Sequence, residues 1–414
     1  MPASIHSTAE PLPVMFLVGS LSTGGAERFV ANVVTHLDRA RFKPYLAMYR
    51  DTISYDIPDD VTVRVLGKYK PWHNPRAVLR LARWIDAVQP AVLLSAWSVP
   101  NVFAAETLRW TRHKPVWIAR IANNPAGREI GLYGHWARIS YKRADRLVAV
   151  CRGLAEDFER SHAFARGRTQ VLYNAIDTKA LAARAAQPVS LMPERAVHLI
   201  AVGRLHPQKR FDVMLRAVAK ARQQVDVHLH VLGEGELAQP LQQLTHHLGI
   251  AGAVTWQGFC DDPYPYLGGA NVFLLTSDYE GLSNSLLEAQ ALGLPAIATN
   301  CPFGTSEVVQ DGKTGLLSRV GDVDQIAQHI VDLSTSQLLR QAMAHAARER
   351  VRDHFSIAKM MDSLEGILSG YAPPAATTEA TASPGAKVNN YSLDDDADIS
   401  HARRGCTSEA QSTK

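Results

Sequence analysis

Two cations and two carboxylates, each placed just beyond an apolar run, carry the strongest chemical signal in this chain. Gly203-Arg204-Leu205-His206-Pro207-Gln208-Lys209 follows the apolar run 198–202 and precedes a helical pattern that starts at Phe211. An anion held there meets Arg204, Lys209 and the N-terminus of the next helix. A diphosphate suits that arrangement, although two surface cations bonded to nearby carboxylates fit the same spacing. Beyond the run 272–275 come Glu280, Gly281, Leu282, Ser283 and Glu288. Gly281 permits a tight turn and a close backbone approach. Ser283 is placed to cap a helix with Leu286, Leu287 and Ala291 on its buried side. Glu280 then precedes that helix and Glu288 lies inside it, roughly ten ångströms away along one axis. Carboxylates only accept hydrogen bonds, so each can receive a different sugar diol. The N–H groups of Leu282 and Ser283 are placed to hold a phosphate between them. Spacing alone leaves a plainer alternative open, a surface helix glutamate at 288 and a loop residue at 280.

The elements that must position these groups follow from the apolar pattern. Short β-branched runs occupy 14–18, 45–48, 61–66, 92–95, 116–120, 147–150 and 170–172, then 198–202, 227–232, 254–257, 272–275, 296–299 and 315–317. Segments with helical spacing, such as 211–221 and 283–292, separate many of them. Continuous apolar strands alternating with helices predict parallel sheets covered on both faces. Two such series predict an α/β chain of two doubly wound, Rossmann-like domains. The length, 414 residues, agrees with more than one core. The expected division is 1–180, 181–355, a terminal helix at 356–371, and a disordered tail at 372–414. The tail is rich in Pro, Ala, Thr, Ser and Asp, and buries too little apolar surface to offset its ordering entropy.

Composition excludes several classes. Four cysteines without CxxC spacing argue against a zinc site or a disulfide framework and for a reducing compartment. No apolar run reaches the ~18 residues of a membrane span, and residues 1–13 lack the order of a signal peptide. Residues 1–180 carry a net charge of +10, residues 181–372 −4, and the tail −2. Only the first half is therefore expected to meet an anionic surface. A nucleic-acid partner would explain that charge but not the two carboxylates, so none is expected.

Ordered motifs sharpen this reading. Gly203 to Asp212, Leu232-Gly233-Glu234-Gly235, Ser277 to Ala289, Gly293-Leu294-Pro295, Glu307 and Gly312 to Leu317 occur in series. Over roughly residues 14–370 the chain resembles the retaining GT-B glycosyltransferases of family 4, whose paired glutamates are spaced as Glu280 and Glu288 are. The resemblance implies two Rossmann-like domains facing across a cleft. It assigns Arg204 and Lys209 to the donor diphosphate, Glu280 to the donor sugar and Glu288 to the nucleotide ribose. Gly281, Leu282 and Ser283 match the loop whose amides meet phosphate and sugar. Gly24 and Gly25, in Gly24-Gly25-Ala26-Glu27-Arg28, match glycines that let the first domain's backbone approach the donor. Tyr173 to Asp177 matches the segment before the interdomain linker, and 355–368 the helix that returns to the first domain.

The departures from the family pattern set further expectations. Many relatives have a histidine near the reacting carbon; here the stretch is Arg120-Ile121-Ala122-Asn123-Asn124-Pro125, and Asn123 is the candidate for that contact. Cys151 reads as a small buried residue and Asp261-Asp262 as a structural loop. No Asp-x-Asp triplet follows a strand, so no metal and no cofactor are expected. The resemblance implies a nucleotide-sugar donor, UDP-linked by preference and GDP-mannose next, carrying a hexose or N-acetylhexosamine. The expected acceptor is a glycan, lipid-linked, in bacterial exopolysaccharide, O-antigen or lipopolysaccharide synthesis.

A cytoplasmic enzyme, peripheral on the inner face of the membrane, is the corresponding location. Arg76, Arg80 and Arg83 share a helix face, with Trp72 and Trp84 near its ends. Residues 109–114 add a second basic-aromatic patch, and together they read as a surface for anionic lipid. An ordinary solvated helix face fits the same residues. The alternatives on the same fold are a sugar-nucleotide epimerase, a phosphorylase, or an inactive binding subunit.

Overall fold

The computed structural model describes residues 10–371, apart from Thr23, residues 68–74 and residues 123–131, and apart from the side chains of residues 132–135. The tail 372–414, Trp72 and Asn123 therefore lie outside the described residues.

The first half runs β1 (Leu12–Val18), α1 (Gly25–His36), β2 (Phe42–Met48), β3 (Thr62–Val65), α2 (Pro75–Val88), β4 (Val92–Ala96), α3 (Ser98–Thr107), β5 (Val116–Ile121), α4 (Leu132–Arg143), β6 (Arg146–Ala149), α5 (Arg152–Ser161) and β7 (Thr169–Val171). A short helix, α6 (Thr178–Arg184), leads on. The second half runs β8 (Val197–Val202), α7 (Phe211–Ala221), β9 (Val227–Leu232), α8 (Ala238–His247), β10 (Val254–Gly258), α9 (Tyr264–Gly269), β11 (Val272–Leu275), α10 (Asn284–Leu292), β12 (Ala296–Thr299), α11 (Thr305–Val308), β13 (Gly315–Ser318), α12 (Val323–Thr335), α13 (Gln337–His354) and α14 (Ile357–Ser369).

Among the described residues two sheets form, in the orders β3-β2-β1-β4-β5-β6-β7 and β10-β9-β8-β11-β12-β13. Every strand pairing within them is parallel. Each order reverses once, between β1 and β4 and between β8 and β11. At such a reversal the following loops part in opposite directions and leave a crevice at the strand carboxyl ends. Each expected strand run appears, shifted by at most a few residues at its ends.

Parallel sheets must be covered on both faces, because their strands are apolar on both sides. Helices α2, α3, α4 and α5 supply Leu81, Phe103, Tyr141 and Phe158 to one core. On the opposite face of the first sheet, α1 packs Phe29, Val30 and Val33 against Val14 and Phe16. The last helix, α14, joins that same core through Met360, Met361, Leu364 and Leu368. Burying each such side chain contributes about 1.5–3 kcal/mol, so α14 is anchored on the first sheet and α1.

Trp84 is a correction. It was read with the exposed arginines of α2, but it is 3% exposed and packs in the core with Leu81 and Ile85. Its ring meets Tyr45 edge-on at 6.1 Å, and the Arg64 guanidinium lies 5.3 Å from it. Ala77, Leu81, Trp84, Ile85 and Val88 follow the helical period, which points Trp84 inward while Arg76, Arg80 and Arg83 stay exposed.

Candidate active site

The cation-bearing loop after β8 rests on glycines. A Cβ at Gly233 would lie 2.0 Å from the Gly203 oxygen, and one at Gly235 2.4 Å from the Leu205 oxygen. Gly233 also has φ +143°. The loop Leu232–Gly235 can therefore lie flat under residues 203–205, and the Leu205 N–H bonds the Glu234 carbonyl at 2.8 Å. Beyond it, Arg210 takes a left-handed conformation (φ 48°) and bonds Asp212 and Asp278, each at 3.0 Å. Thr276 closes the join, donating to the carbonyls of Lys209 (3.0 Å) and Arg210 (2.9 Å).

This stitching brings Lys209 to Glu280. The ammonium lies 2.6 Å from Glu280 Oε1, with the side chains 17% and 8% exposed. Ser277 Oγ donates to the same oxygen at 2.6 Å. Among the described residues no bond falls on Oε2, which leaves that oxygen to accept from a ligand. Arg204 is exposed and makes no ion pair among the described residues. Of the alternative, surface cations bonded to nearby carboxylates, Lys209 shows the carboxylate but not the exposure, and Arg204 the exposure but, among the described residues, not the carboxylate.

Helix α10 starts as the sequence predicts. Ser283 occupies the N-cap and its hydroxyl accepts from the Leu286 N–H at 3.4 Å. Among the described residues no bond is made to the N–H groups of Leu282 and Ser283, two donors of the kind that gather an anion at a helix start. Leu286 and Leu287 are buried, whereas Ala291 is only half-buried. Glu288 is 4% exposed, which rules out an ordinary surface glutamate. Its Oε1 receives the Tyr264 hydroxyl at 3.2 Å and also the guanidinium of Arg28, from α1.

The first sheet's loops reach this site closely. A Cβ on Gly281 would lie 2.3 Å from the Ala122 oxygen at the end of β5, and one on Gly25 would lie 3.0 Å from the Asn284 amide. Gly24 caps α1, where a side chain would strike the Glu27 carboxylate at 2.2 Å. Glu27 is buried; desolvation raises its pKa, and hydrogen bonds from backbone N–H groups at the start of α1 oppose that. Asn174 spans the gap. It accepts from Arg120 at 2.5 Å and donates to Asn284 Oδ1 at 2.8 Å and to the Leu282 carbonyl at 3.4 Å. Arg120 is 1% exposed, and burial pulls its pKa down to about 9.

A second junction is built on Glu307. Its carboxylate accepts the N–H groups of Arg152 (3.0 Å) and Gly153 (2.7 Å) at the start of α5, and the Tyr173 hydroxyl at 2.6 Å. The N-cap of α5, Cys151, gives no side-chain bond, so Glu307 does the capping from the other sheet. Cys151 is buried as expected, and desolvation pushes its thiol up to about 12. Asp262 bonds Arg184 (3.2 Å) and the Tyr264 N–H (3.3 Å), a structural loop role.

Sequence reasoning found Glu280, Glu288, Lys209 and Ser283, but missed Arg28, Tyr264, Asn174 and Arg120 as parts of this constellation. Arg28, Asn174 and Arg120 lay inside stretches already noted, without a role of their own; Tyr264 had no local signal.

Two parallel α/β sheets with their switch-point loops turned toward one another define the GT-B fold. Comparison with known proteins agrees. Residues 23–180 match the model of Glycosyltransferase Family 4, and residues 196–336 match that of Glycosyl transferases group 1. The chain belongs to the family 4 glycosyltransferases. It is 27% identical over 377 residues to N-acetylgalactosamine-N,N'-diacetylbacillosaminyl-diphospho-undecaprenol 4-alpha-N-acetylgalactosaminyltransferase of Campylobacter jejuni, covering 84% of this chain and 97% of that one. It is 26% identical to the lipopolysaccharide core biosynthesis glycosyltransferase LpsD of Rhizobium meliloti, covering 82% and 93%. Among solved structures it resembles Anabaena HepE in complex with UDP-glucose, with a TM-score of 0.72 at 18% identity over 87% of this chain and 100% of that one. The activity is glycosyl transfer from a nucleotide sugar. Among the described residues no helix is long and apolar enough to cross a membrane.

Proposed function

We propose that this enzyme moves a hexosyl or N-acetylhexosaminyl group from a nucleotide sugar to a lipid-linked glycan, with retention of anomeric configuration and without a metal ion. A UDP-sugar is the favoured donor and GDP-mannose the next. The observation that carries this reading is the Lys209–Glu280 pair, 2.6 Å apart at the switch point of the second sheet and beside the open amides of α10. In this reading Lys209, Arg204 and the Leu282 and Ser283 amides face the donor diphosphate. Glu280 holds the sugar hydroxyls through Oε2, and Glu288 holds the ribose.

The acceptor hydroxyl oxygen bonds to the anomeric carbon as the bond from that carbon to the diphosphate oxygen breaks. The hydroxyl proton passes to the departing phosphate oxygen, and the nucleoside diphosphate leaves. Fixed cations and amides aimed at the oxygen that gains charge lower the barrier, because they need no reorganisation during reaction. Two cations at that oxygen supply the charge a metal would otherwise bring.

The relatives support the partner classes. The Campylobacter protein's name specifies a diphospho-undecaprenol-linked acceptor, LpsD serves lipopolysaccharide core synthesis, and HepE binds UDP-glucose. A basic outer layer supports an anionic membrane surface, on the cytoplasmic side, as the place of work. Arg76, Arg80, Arg83, Arg109, Arg112 and Lys114 are exposed there, with Trp110 62% exposed beside them. Helix α4 extends the layer with exposed Arg138, Lys142, Trp136 and Ile139. Apolar side chains among cations bind anionic interfaces by burial and charge together.

A thermal-shift screen with UDP- and GDP-sugars, followed by transfer to a diphospho-polyprenyl-linked glycan, tests the reading. A raised Tm with one nucleotide class and an α-configured product from an α-configured donor support it. A Tm unmoved by every nucleotide sugar, or an inverted product, overturns it.

A further inference from the structure

The N-terminal turns of helices α1 and α10 face one another across the two sheets. Gly25, the first residue of α1, faces Asn284, the first residue of α10; a Cβ on Gly25 would sit 3.0 Å from the Asn284 amide. About one turn further along each helix, Arg28 meets Glu288. Three and four residues are the steps that return a helix to the same face, so the glycine contact and the ion pair lie on one seam. Glu27, buried and turned back on the first turn of α1, leaves Arg28 as the residue of that turn that projects to the other sheet.

The pair is well shielded, with Glu288 5% and Arg28 27% exposed at the side chain. Both Arg28 and the Tyr264 hydroxyl bond Glu288 at Oε1. Among the described residues, nothing bonds Oε2. The carboxylate is thus held at one oxygen by a guanidinium and a phenol hydroxyl, and presents its other oxygen. An isolated buried carboxylate would be costly and would protonate or turn away. A guanidinium holds its partner's plane as well as its charge.

We propose that Arg28 is a positioning residue for nucleotide recognition: it fixes Glu288 from the opposite domain, so that the ribose hydroxyls are read only when α1 and α10 are docked. This rests on the reading of Glu288 as the ribose acceptor. Arg28 does not touch the nucleotide; it makes the ribose contact conditional on the meeting of the two halves. Tyr264 orients the same oxygen from within the second half and does not depend on docking.

The probes are UDP and 2′,3′-dideoxy-UDP, replaced by the corresponding GDP pair if only GDP raises the Tm. Binding of both is measured by calorimetry to the full chain, to Arg28→Gln, Arg28→Lys and Glu288→Gln, with Tm measured for each. The wild type is expected to prefer the ribose form at least tenfold. In Arg28→Gln that preference falls to about twofold or less, and Arg28→Lys, which keeps the charge, regains part of it. Binding of the dideoxy form changes little in either. A purely structural role for Arg28 predicts equal weakening of both nucleotides, and that result overturns the proposal. So does full ribose preference in Arg28→Gln when Glu288→Gln has lost it, which leaves the reading of Glu288 standing. Full preference in Glu288→Gln instead overturns the reading of Glu288 itself, and the role of Arg28 with it.

Discussion

Lys209 and Glu280 lie 2.6 Å apart although they come from loops after different strands, and both are largely shielded from water. Their neutral replacement is informative in opposite ways. Glu280→Gln keeps the shape but removes the ionised acceptor and leaves Lys209 without its partner. Its kcat is expected to fall by about 10²–10³, the loss typical of one preorganised electrostatic contact. Turnover within a factor of three of wild type would remove Glu280 from the mechanism.

Chelation gives an independent check on the diphosphate reading. With Lys209 and Arg204 facing the leaving group, rates in excess EDTA are expected to match those without it. Lys209→Ala in turn is expected to lose activity that added magnesium does not restore. Abolition of wild-type activity by EDTA would show that a metal carries the charge instead.

Gly281 tests how closely the halves must meet. Its Cβ would fall 2.3 Å from a backbone oxygen, that of Ala122, which cannot step aside as a flexible side chain could. Gly281→Ala is expected to lower kcat more than tenfold while nucleotide binding to the second half weakens much less. Equal losses in both quantities would point to local misfolding.

Glu307 concerns stability. Glu307→Ala strips the acceptor from two backbone N–H groups at the start of α5 and from the Tyr173 hydroxyl. Unpaired donors of this kind cost about 1–3 kcal/mol, and loss of a helix cap falls in the same range. Urea unfolding followed by circular dichroism measures it; an unchanged midpoint would mean that water replaces the carboxylate.

Acid should weaken the second half through its histidines. His198 and His228 are paired neighbours on β8 and β9, and His230 Nε2 lies 3.1 Å from His198 Nδ1. Desolvation lowers the pKa of all three, that of His230 to about 4. The unfolded chain therefore binds protons below its ordinary 6.5 that the folded chain refuses, so stability falls as pH drops from about 6.5 toward 4. His230→Leu is expected to flatten this part of the profile, read as urea midpoints between pH 7.5 and 5. A variant with the wild-type slope would acquit His230.

Much of this architecture is written locally. Parallel strands are buried on both faces and so read as unbroken apolar runs, and the runs at 14–18 and 272–275 needed no tertiary knowledge. Ser283 was legible as a cap for the same reason: capping is chemistry within one turn. Glu288 was not legible as a buried group, because its partner Arg28 lies 260 positions away. Arg120 sits in an apolar strand, where spacing cannot say that its guanidinium turns to Asn174, 54 residues on. Trp84 misled through its neighbours: a tryptophan beside exposed arginines looks interfacial until its helical phase is followed.

The chain passes between its two sheets twice, once after β7 and again before α14, and the passages touch. The Ile176 N–H bonds the Phe355 carbonyl at 2.9 Å, and Ile176 pairs with Ser356 in an isolated bridge. Two parallel tethers fastened side by side resist torsion but yield to bending across their common line. Any rotation of one half on the other would have to bend both tethers at this shared line. Removing α14 would leave a single tether, and would uncover the side of the first sheet's core where Met360 and Leu364 pack.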